Sequence, residues 1–182
     1  MYDAVWLVKA ATDSERTVNS QLSRTLRLSK VAFMASICVW IALVAINNLT
    51  DYGANFQFVR HVFEMDTTFP GNPLLWRSVH ATSLYHTAYI CIIVIEVAAG
   101  LLAGIAVFKM LVARNDTERF ATAKAIGIIA LTLGVLLWLA GFEGIGGEYF
   151  LMWQSHVWNG QESAFRFAAL CMLGLVFLAQ RE

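Results

Sequence analysis

The chain has 182 residues, of which 58% are hydrophobic and 14% are charged, and its mean hydropathy is +0.60. Soluble domains average about 45–50% apolar and about 25% charged residues, so the composition excludes a water-soluble globular domain. Thirteen Lys and Arg balance thirteen Asp and Glu, which leaves no basic excess to favour nucleic-acid binding. The apolar residues fall in blocks, a pattern typical of an integral membrane protein.

Four of these blocks are apolar enough to cross a bilayer. They are residues 31–46, 84–108, 126–142 and 164–179. Because lipid offers no partners to backbone N–H and C=O groups, each span is predicted to be an α-helix. About 20 residues cross the hydrocarbon core, so the first and last spans need an extra turn from their flanks. The sequence therefore predicts an all-α fold, with residues 1–182 forming a single four-helix membrane domain.

The basic residues predict the orientation of the chain. Ten of the thirteen lie before the first span, between the second and third, or after the fourth: Lys9, Arg16, Arg24, Arg27, Lys30, Lys109, Arg114, Arg119, Lys124 and Arg181. Basic residues favour the cytoplasmic side, so both termini are predicted to be cytoplasmic. Residues 1–30 are predicted to be an amphipathic segment, not a secretory signal, with Val5, Trp6 and Leu7 at the membrane surface.

The first outer segment, residues 47–83, carries signals for a short interfacial helix. Thr50 or Asp51 can cap its start. Apolar and aromatic side chains then recur at helical spacing, at Tyr52, Phe56, Val59 and Phe63. Asn72 followed by Pro73 is a further helix-start signal. It predicts that the second membrane helix begins near Pro73.

The second outer segment, residues 143–163, is predicted to contain a turn and another aromatic interfacial stretch. The turn is predicted from Gly144, Gly146 and Gly147. Outer carboxylates are expected to pair with arginines: Asp51, Glu64 and Asp66 with Arg60 and Arg77, and Glu143 with Arg166. The candidate residues of the outer cap are Asp51, Tyr52, Arg60, His61, Asp66, Arg77, Trp153, His156, Trp158 and Arg166.

The four histidines lie on or near the outer side. A copper or zinc site from His61, His80 and His156 requires the outer segments to converge, and we predict no metal site. Haem between spans needs facing histidines, which this pattern does not supply. No nucleophile elbow, phosphate loop or zinc-protease motif occurs in the sequence. We therefore predict that the protein is not an enzyme.

Short motifs in the outer segments carry a family resemblance. They are Asn47-Asn48-x-Thr50-Asp51-Tyr52, His61-Val62, Met65-Asp66-Thr67-Thr68-Phe69-Pro70, Trp76-Arg77, Met152-Trp153-Gln154-Ser155 and Trp158-Asn159-Gly160-Gln161. From about Arg27 onward the chain resembles a bacterial, chiefly proteobacterial, family of predicted small integral membrane proteins. The resemblance implies four helices in a bacterial inner membrane. The function of that family is unknown, so the resemblance implies no catalytic or binding residues.

Glu96 is the one acidic residue inside a predicted span. It lies twelve residues from either end of that span, so we predict a position near the bilayer centre, with Ser36 and Thr132 as partners at the same depth. Gly100 and Gly104 share its helical face and favour close approach of another helix. An intramembrane carboxyl group is either a proton or cation site, or a protonated acid that bonds a neighbouring helix. The second interpretation is favoured.

Three functions stay open at this point. The first is an accessory or structural protein, in which the bundle packs in a larger inner-membrane complex or a homo-oligomer. The second is a small proton or cation channel or transporter that uses Glu96. The third is a module that binds a lipid or quinone. The expected partners are the bilayer and other membrane subunits or a second copy, without nucleic acid, and no cofactor is predicted beyond an open bound lipid or quinone.

Overall fold

The chain is an all-helical membrane protein. A computed structural model describes the backbone of residues 2–181 and the side chains of residue 12 and residues 14–181. This part of the chain contains no strand and has four helices long and apolar enough to cross a membrane. They are Ser14–Thr50, Thr82–Val112, Thr117–Tyr149 and Gln161–Ala179. The prediction of an all-α bundle with four spans is confirmed.

Five α-helices form the framework. They are α1 (Tyr2–Thr50), α2 (Tyr52–Glu64), α3 (Thr82–Val112), α4 (Thr117–Val135) and α5 (Gln161–Ala179). The helix of α4 continues as a π-helix, Leu136–Tyr149, and two 3₁₀ turns, Leu75–Arg77 and Met152–Gln154, lie in the connections. We call the end of the bundle that holds the α1–α2 connection the cap side, and the opposite end the terminal side.

The helix α1 is much longer than a membrane span. Its 49 residues extend about 74 Å at 1.5 Å per residue, whereas the hydrocarbon core is about 30 Å thick. The side chains of residues 14–22 are exposed, so this part of α1 extends away from the bundle. The predicted interfacial contacts of Val5, Trp6 and Leu7 fall outside the described side chains.

Small residues bring α1 and α3 into close contact. A β-carbon placed on Gly100 would lie 3.6 Å from the Ile41 side chain, and one on Gly104 would lie 3.5 Å from Cys38 Sγ. The surrounding core is fully buried at Met34, Ile41, Ala103, Ala106, Met110, Phe120, Ala130, Leu131, Cys171 and Leu178. The Gly100 and Gly104 face is therefore filled by α1 of the same chain.

Basic side chains hold the helix ends together on the terminal side. Lys30 and Lys124 both donate to the carbonyl oxygen of Gln180, directly after α5. Positive charge and hydrogen-bond donors stabilise the exposed carbonyls at a helix C-terminus. Arg27 donates to the carbonyl oxygen of Arg114 over 3.1 Å and to Thr117 Oγ1 over 2.7 Å. All four spans are thereby joined at this end.

The two connections on the cap side form one folded unit, which we call the cap (residues 51–81 and 150–160). Asp51 Oδ1 accepts from the Ala54 backbone N–H over 3.4 Å, as its predicted role at the start of α2 requires. Thr67 Oγ1 donates to Ser155 Oγ over 2.8 Å. Gln154 Oε1 accepts from the Phe69 backbone N–H and from Asn72 Nδ2. These bonds fasten the second connection onto the first.

The second membrane helix begins at Thr82, so the predicted start near Pro73 is wrong. Asn72 does not cap a helix. Its Oδ1 accepts from the Leu74 backbone N–H over 2.9 Å, which forms a local turn. The 3₁₀ turn Leu75–Arg77 that follows has Leu74 as its N-cap, without a side-chain hydrogen bond, and ends at Ser78, which is extended with ψ 143°. The Val79 backbone N–H then donates to the Phe63 carbonyl over 2.8 Å, which anchors the connection on α2.

The third span runs beyond its predicted end at residue 142. Helical hydrogen bonding continues through Gly144, Gly146 and Gly147 as a π-helix to Tyr149, so the turn predicted at these glycines is wrong. The final bond joins the Phe150 N–H to the Ile145 carbonyl over 3.0 Å. Backbone groups close to lipid must be satisfied within the chain, and this requirement outweighs the turn preference of glycine.

Candidate functional site

Glu96 is buried inside the bundle, with 2% of its surface exposed. Its Oε2 accepts a hydrogen bond of 2.6 Å from Asn48 Nδ2. Asn48 belongs to the last turn of α1, and Glu96 lies near the middle of α3. The carboxyl group therefore faces protein, and its partner is an asparagine that the sequence argument did not single out.

Asn48 is the centre of a polar cluster that joins three helices. Its Oδ1 accepts from Asn55 Nδ2 over 2.8 Å and from the Tyr89 hydroxyl over 3.3 Å. The Tyr89 hydroxyl also lies 3.2 Å from the Asn48 carbonyl oxygen. We call Asn48, Asn55, Tyr89 and Glu96 the Asn48 cluster. It connects α1, α2 and α3 where the bundle meets the cap.

Ser36 and Thr132, the predicted partners of Glu96, lie elsewhere. Both side chains are exposed. Each donates to a carbonyl one turn earlier on its own helix, Ser36 to Ala32 over 3.0 Å and Thr132 to Ile128 over 2.8 Å. The prediction assumed that all spans begin at the same level on the cap side. In the structure α1 ends two residues after Asn48, whereas α3 extends toward the cap for 14 residues beyond Glu96.

The register of α1 against α3 gives the distance of Glu96 from the terminal side. The Arg27–Arg114 contact and the Asn48–Glu96 contact are 21 residues apart on α1 and 18 residues apart along α3 and the residues that follow it. At 1.5 Å per residue these stretches measure roughly 27–32 Å. The position of Glu96 near the bilayer centre stays a prediction.

Glu96 lines a cavity inside the bundle, which we call the Glu96 cavity. Its volume is about 260 Å³. Asn48 and Asn55 also line it, together with five aromatic side chains, Phe58, Tyr89, Trp138, Phe142 and Phe167. The aromatic faces come from α2, α3, the π-helix and α5, so the cavity is formed where all four elements converge.

Glu96 also lines a groove on the outside of the bundle, between α1 and α3. This α1–α3 groove has a volume of about 630 Å³ and is otherwise lined by apolar and small residues, from Leu49 to Cys38 on α1 and from Glu96 to Phe108 on α3. The twelve residues from Glu96 to Phe108 measure about 18 Å. Glu96 is the single charged residue among those that line the groove.

A further apolar cavity of about 400 Å³ lies under α2, between α3 and the π-helix. It shares Phe58, Val59, Ile92 and Phe142 with the Glu96 cavity. The glycines of the π-helix leave room here, since a β-carbon on Gly141 would meet no atom closer than 3.9 Å. The cap-side half of the bundle is thus loosely packed around a polar centre.

The carboxyl group of Glu96 has hydrogen-bonding capacity to spare. Asn48 supplies the one hydrogen bond that it makes among the described residues, and that bond goes to Oε2. Its Oε1 thus has no partner in this part of the chain. An ionised carboxyl oxygen is a strong acceptor, so Glu96 offers this acceptor to the spaces that it lines.

The aromatic and charged residues of α2 pack against α3. The Tyr52 hydroxyl lies 2.8 Å from His86 Nδ1, and Arg60 Nε donates to Glu64 Oε1 over 2.8 Å. The Arg60 guanidinium holds the pKa of Glu64 below its ordinary value, first through this hydrogen bond. The hydroxyl of Tyr85 donates to the same carboxylate over 3.2 Å. The predicted pairing of Arg60 with Glu64 is confirmed.

The three-histidine arrangement does not form. His61 Nδ1 lies 2.7 Å from Asp66 Oδ2, and its ring stacks on Trp158 at 4.7 Å. His80 contacts Ser78, and His156 is exposed. Potential ligand atoms of His61, Glu64 and Asp66 do lie within 4.8 Å of one another. Arg60 already binds the Glu64 carboxylate, and His61 lies beside Asp66, so these side chains form an ion-pair network.

The remaining cap candidates hold the connections together. Arg77 Nη1 donates to the Tyr149 carbonyl over 3.3 Å, and its guanidinium lies over the rings of Trp76 and Tyr149. Arg77 therefore contacts aromatic rings and a carbonyl in place of the predicted carboxylate. Trp153 packs edge-on against Phe69 at 5.7 Å. These contacts hold the two connections of the cap together.

Arg166 does not pair with Glu143. Its Nη2 lies 3.9 Å from Glu162 Oε1, and both side chains are largely exposed. Glu162 precedes Arg166 by one helical turn within α5, so the pair forms locally. Glu143 belongs instead to the π-helix, where its Oε1 is buried without a hydrogen-bond partner among the described residues.

The fold and the site define a class of protein, a polytopic four-helix membrane protein with a polar, aromatic-lined cavity where the bundle meets the cap. Residues 26–181 match the family model described as "Predicted small integral membrane protein (DUF2165)". The match covers most of the chain, so the chain belongs to this family. No curated protein and no solved structure matches the chain.

Proposed function

We propose that this protein binds a membrane amphiphile, with the polar head at Glu96 and the hydrocarbon chain in the α1–α3 groove. The observation that carries the proposal is the placement of one buried carboxyl group. Glu96 lines both the Glu96 cavity and the groove on the membrane-facing surface. The Glu96 side chain thus lies between the polar, aromatic-lined Glu96 cavity and the apolar α1–α3 groove.

The energetics of burial favour a ligand at this position. A carboxyl group removed from water costs several kcal/mol unless it is paired, and intramembrane ionisable residues generally mark functional sites. Asn48 satisfies Oε2, while Oε1 has no partner among the described residues. A ligand head group that bonds Oε1 would complete the coordination of Glu96.

The groove suits the hydrocarbon part of such a ligand. It follows α3 for about 18 Å, from Glu96 toward Phe108 on the terminal side. Gly100 and Gly104 leave its floor without side chains, and exposed Leu101 and Ile105 form part of its wall. A chain that entered sideways from the bilayer would lie parallel to the surrounding acyl chains.

The other two functions receive less support from the geometry. An accessory role in a larger complex was predicted from small-residue faces. Gly100, Gly104, Gly127, Gly134 and Gly174 all face side chains of the same chain. A proton or cation channel needs a path beyond Glu96 toward the terminal side. There the rings of Trp40, Trp138 and Phe167 pack against one another, with centroids 4.4–5.4 Å apart.

We further propose that the membrane is a bacterial inner membrane and that the cap faces outward. The support is the charge asymmetry of the described residues. Arg27, Lys30 and Lys124 lie on the terminal side, and the acidic residues Glu64 and Asp66 belong to the cap. Basic residues favour the cytoplasmic side.

The proposal is tested by identifying what the purified full chain retains. The chain is extracted in a mild detergent and analysed by native mass spectrometry, followed by solvent extraction of the bound molecule. We expect one amphiphile per chain. In Ala42→Leu the larger side chain projects into the groove, and we expect retention to fall at least fivefold.

The matched control is Ala32→Leu, the same substitution at an exposed position of α1 that does not line the groove. This variant should retain the amphiphile as the unsubstituted chain does. Circular dichroism and gel filtration confirm that both variants are folded. A folded chain without a bound amphiphile, or equal retention by Ala42→Leu and Ala32→Leu, would overturn the proposal.

A further inference from the structure

We infer that the head group at Glu96 is an ammonium cation. The inference rests on the proposed function and adds the chemistry of the ligand. A carboxyl group and five aromatic rings line one cavity. A carboxylate attracts a cation directly, and aromatic faces attract it through their negative quadrupole. The two kinds of group together form an aromatic cage of the type that recognises amines and quaternary ammonium ions.

The rings that line the cavity contact one another in pairs. Phe58 and Phe142 have centroids 6.1 Å apart and are nearly parallel. Trp138 and Phe167 lie 5.1 Å apart and are tilted by 58°, and the Tyr89 hydroxyl is held by Asn48. These contacts fix the rings before a ligand arrives. A preorganised cage loses little entropy on binding.

The charge balance of the site favours a cation. The described residues that line the Glu96 cavity and the α1–α3 groove include Glu96 but no Lys, Arg or His. A buried carboxylate is stabilised by an opposite charge, and none is supplied by the lining. A positively charged head group would supply this charge to an ionised Glu96.

The hydrogen bonds of the Asn48 cluster leave an oxygen of Glu96 as an acceptor. An amide hydrogen of Asn48 donates to Glu96 Oε2, one of Asn55 donates to Asn48, and the Tyr89 hydroxyl donates to Asn48. Oε1 accepts no hydrogen bond among the described residues. The positive charge of an ammonium group complements this acceptor.

The dimensions favour a small head group. The volume of about 260 Å³ lies just below the range of about 300–1,000 Å³ that is usual for drug-sized ligands. The cavity thus accommodates an amine or a methylated ammonium group, while the hydrocarbon chain occupies the separate groove.

The test compares two probes that differ only in charge. The full chain is placed in lipid nanodiscs with either dodecyltrimethylammonium or its neutral isostere, in which a carbon atom replaces the nitrogen. One-to-one complexes are then quantified by native mass spectrometry. We expect the cationic probe to bind at least tenfold more tightly. Tetramethylammonium, which lacks the hydrocarbon chain, should compete with the cationic probe only at a much higher concentration. If it competes at the same concentration, the ligand is a free ammonium compound and not a lipid.

Two substitutions locate the selectivity. Glu96→Gln keeps an acceptor for Asn48 and removes the charge, so binding of the cationic probe should fall about tenfold, to the level of the isostere. Phe167→Leu, which removes one ring of the cage, should weaken the cation a few-fold and leave the isostere unchanged. The control is Glu162→Gln, at a carboxylate with 88% of its side chain exposed, which should change neither.

The outcomes separate the two proposals. If both probes bind equally and Ala42→Leu still lowers binding at least fivefold, the amphiphile site stands and the ammonium inference is overturned. The same conclusion follows if Glu96→Gln binds the cation as well as the unsubstituted chain does. If neither probe binds to a chain that also retains no amphiphile, the proposed function itself is overturned.

Discussion

The two halves of the bundle are packed in different ways. Toward the terminal side, Met34, Ala103 and Leu131 are fully buried, and small residues bring the helices into contact. Toward the cap, two cavities and a polar cluster separate the helices. The helices are continuous through both halves, so the difference lies in the side chains and in the π-helix. The rigid half holds the helices at fixed positions, and the open half can therefore keep a cavity without collapsing.

The largest effect is expected for Asn48→Ala, which removes the centre of the polar cluster. It leaves Glu96, Asn55 and Tyr89 without the bonds that Asn48 provides. Unsatisfied buried polar groups cost about 1–3 kcal/mol, and charged ones cost more. We expect the free energy of unfolding to fall by about 2–3 kcal/mol, measured by denaturation in mixed micelles.

The control for this prediction is Asn47→Ala, the same change at the neighbouring, exposed position. It should leave the unfolding transition within about 0.5 kcal/mol of that of the unsubstituted chain. Equal effects of Asn47→Ala and Asn48→Ala would show that the cluster does not stabilise the cap-side half.

The second prediction contrasts one glycine in each half. In the packed half, a β-carbon on Gly174 would lie 2.6 Å from Phe33 Cε1 and 3.1 Å from Leu131 Cδ1. Overpacking of this kind costs about 1–3 kcal/mol, so we expect Gly174→Ala to lower the free energy of unfolding by about 2 kcal/mol.

In the open half, a β-carbon on Gly141 would meet nothing closer than 3.9 Å. Alanine also restricts the unfolded chain more than glycine does. Gly141→Ala should therefore be neutral or should stabilise the protein by up to about 1 kcal/mol. If both substitutions destabilise the protein equally in the same thermal-shift assay, the packing contrast between the halves is wrong.

The smallest effect concerns the surface of the cap. The pKa of Glu64 is lowered by Arg60, so the folded state holds this carboxylate ionised to lower pH than the unfolded state does. The stabilisation is complete above the ordinary carboxyl pKa of 4.5 and is lost as the pH falls through the lower pKa of folded Glu64. Arg60→Gln should raise that pKa and flatten this part of the stability profile.

The measurement is the unfolding midpoint as a function of pH, from neutral pH to about pH 3. Arg166→Gln is the matched control, because Arg166 and Glu162 lie 3.9 Å apart and are both largely exposed, where ion pairs contribute little. An identical pH profile for Arg60→Gln and the unsubstituted chain would remove the Arg60–Glu64 pair as a stabilising contact.

Much of the fold follows directly from the sequence. Apolar blocks of membrane length predict the four spans, and Asp51 predicts the start of α2, because both signals depend on local chemistry. The start of α3 was misplaced from Asn72-Pro73, because the Asn72 side chain forms only a local turn with Leu74 and α3 begins at Thr82. The glycines at 144, 146 and 147 predicted a turn, because the turn preference of glycine does not take into account that backbone groups near lipid must be hydrogen-bonded within the chain.

The site was only half predictable. Glu96 was evident as an acidic residue within an apolar block. Asn48 was not, because it lies just beyond the predicted first span, among polar residues that look like an ordinary loop. Pairing it with Glu96 requires the register of α1 against α3, which the Gly100 and Gly104 contacts determine. The sequence signal that could have found it was an asparagine one turn beyond the last apolar residues, facing the same side as Ile41 and Ala45.

The length of α1 gives the cavity a mechanical connection to the opposite side of the membrane. Asn48, which bonds Glu96, and the exposed residues 14–22 belong to one uninterrupted helix. Ser14 and Asn48 are separated by about 51 Å along its axis. Arg27 and Lys30 fasten α1 to the other spans on the terminal side, so a displacement of the exposed residues 14–22 would reach Asn48 only through these contacts.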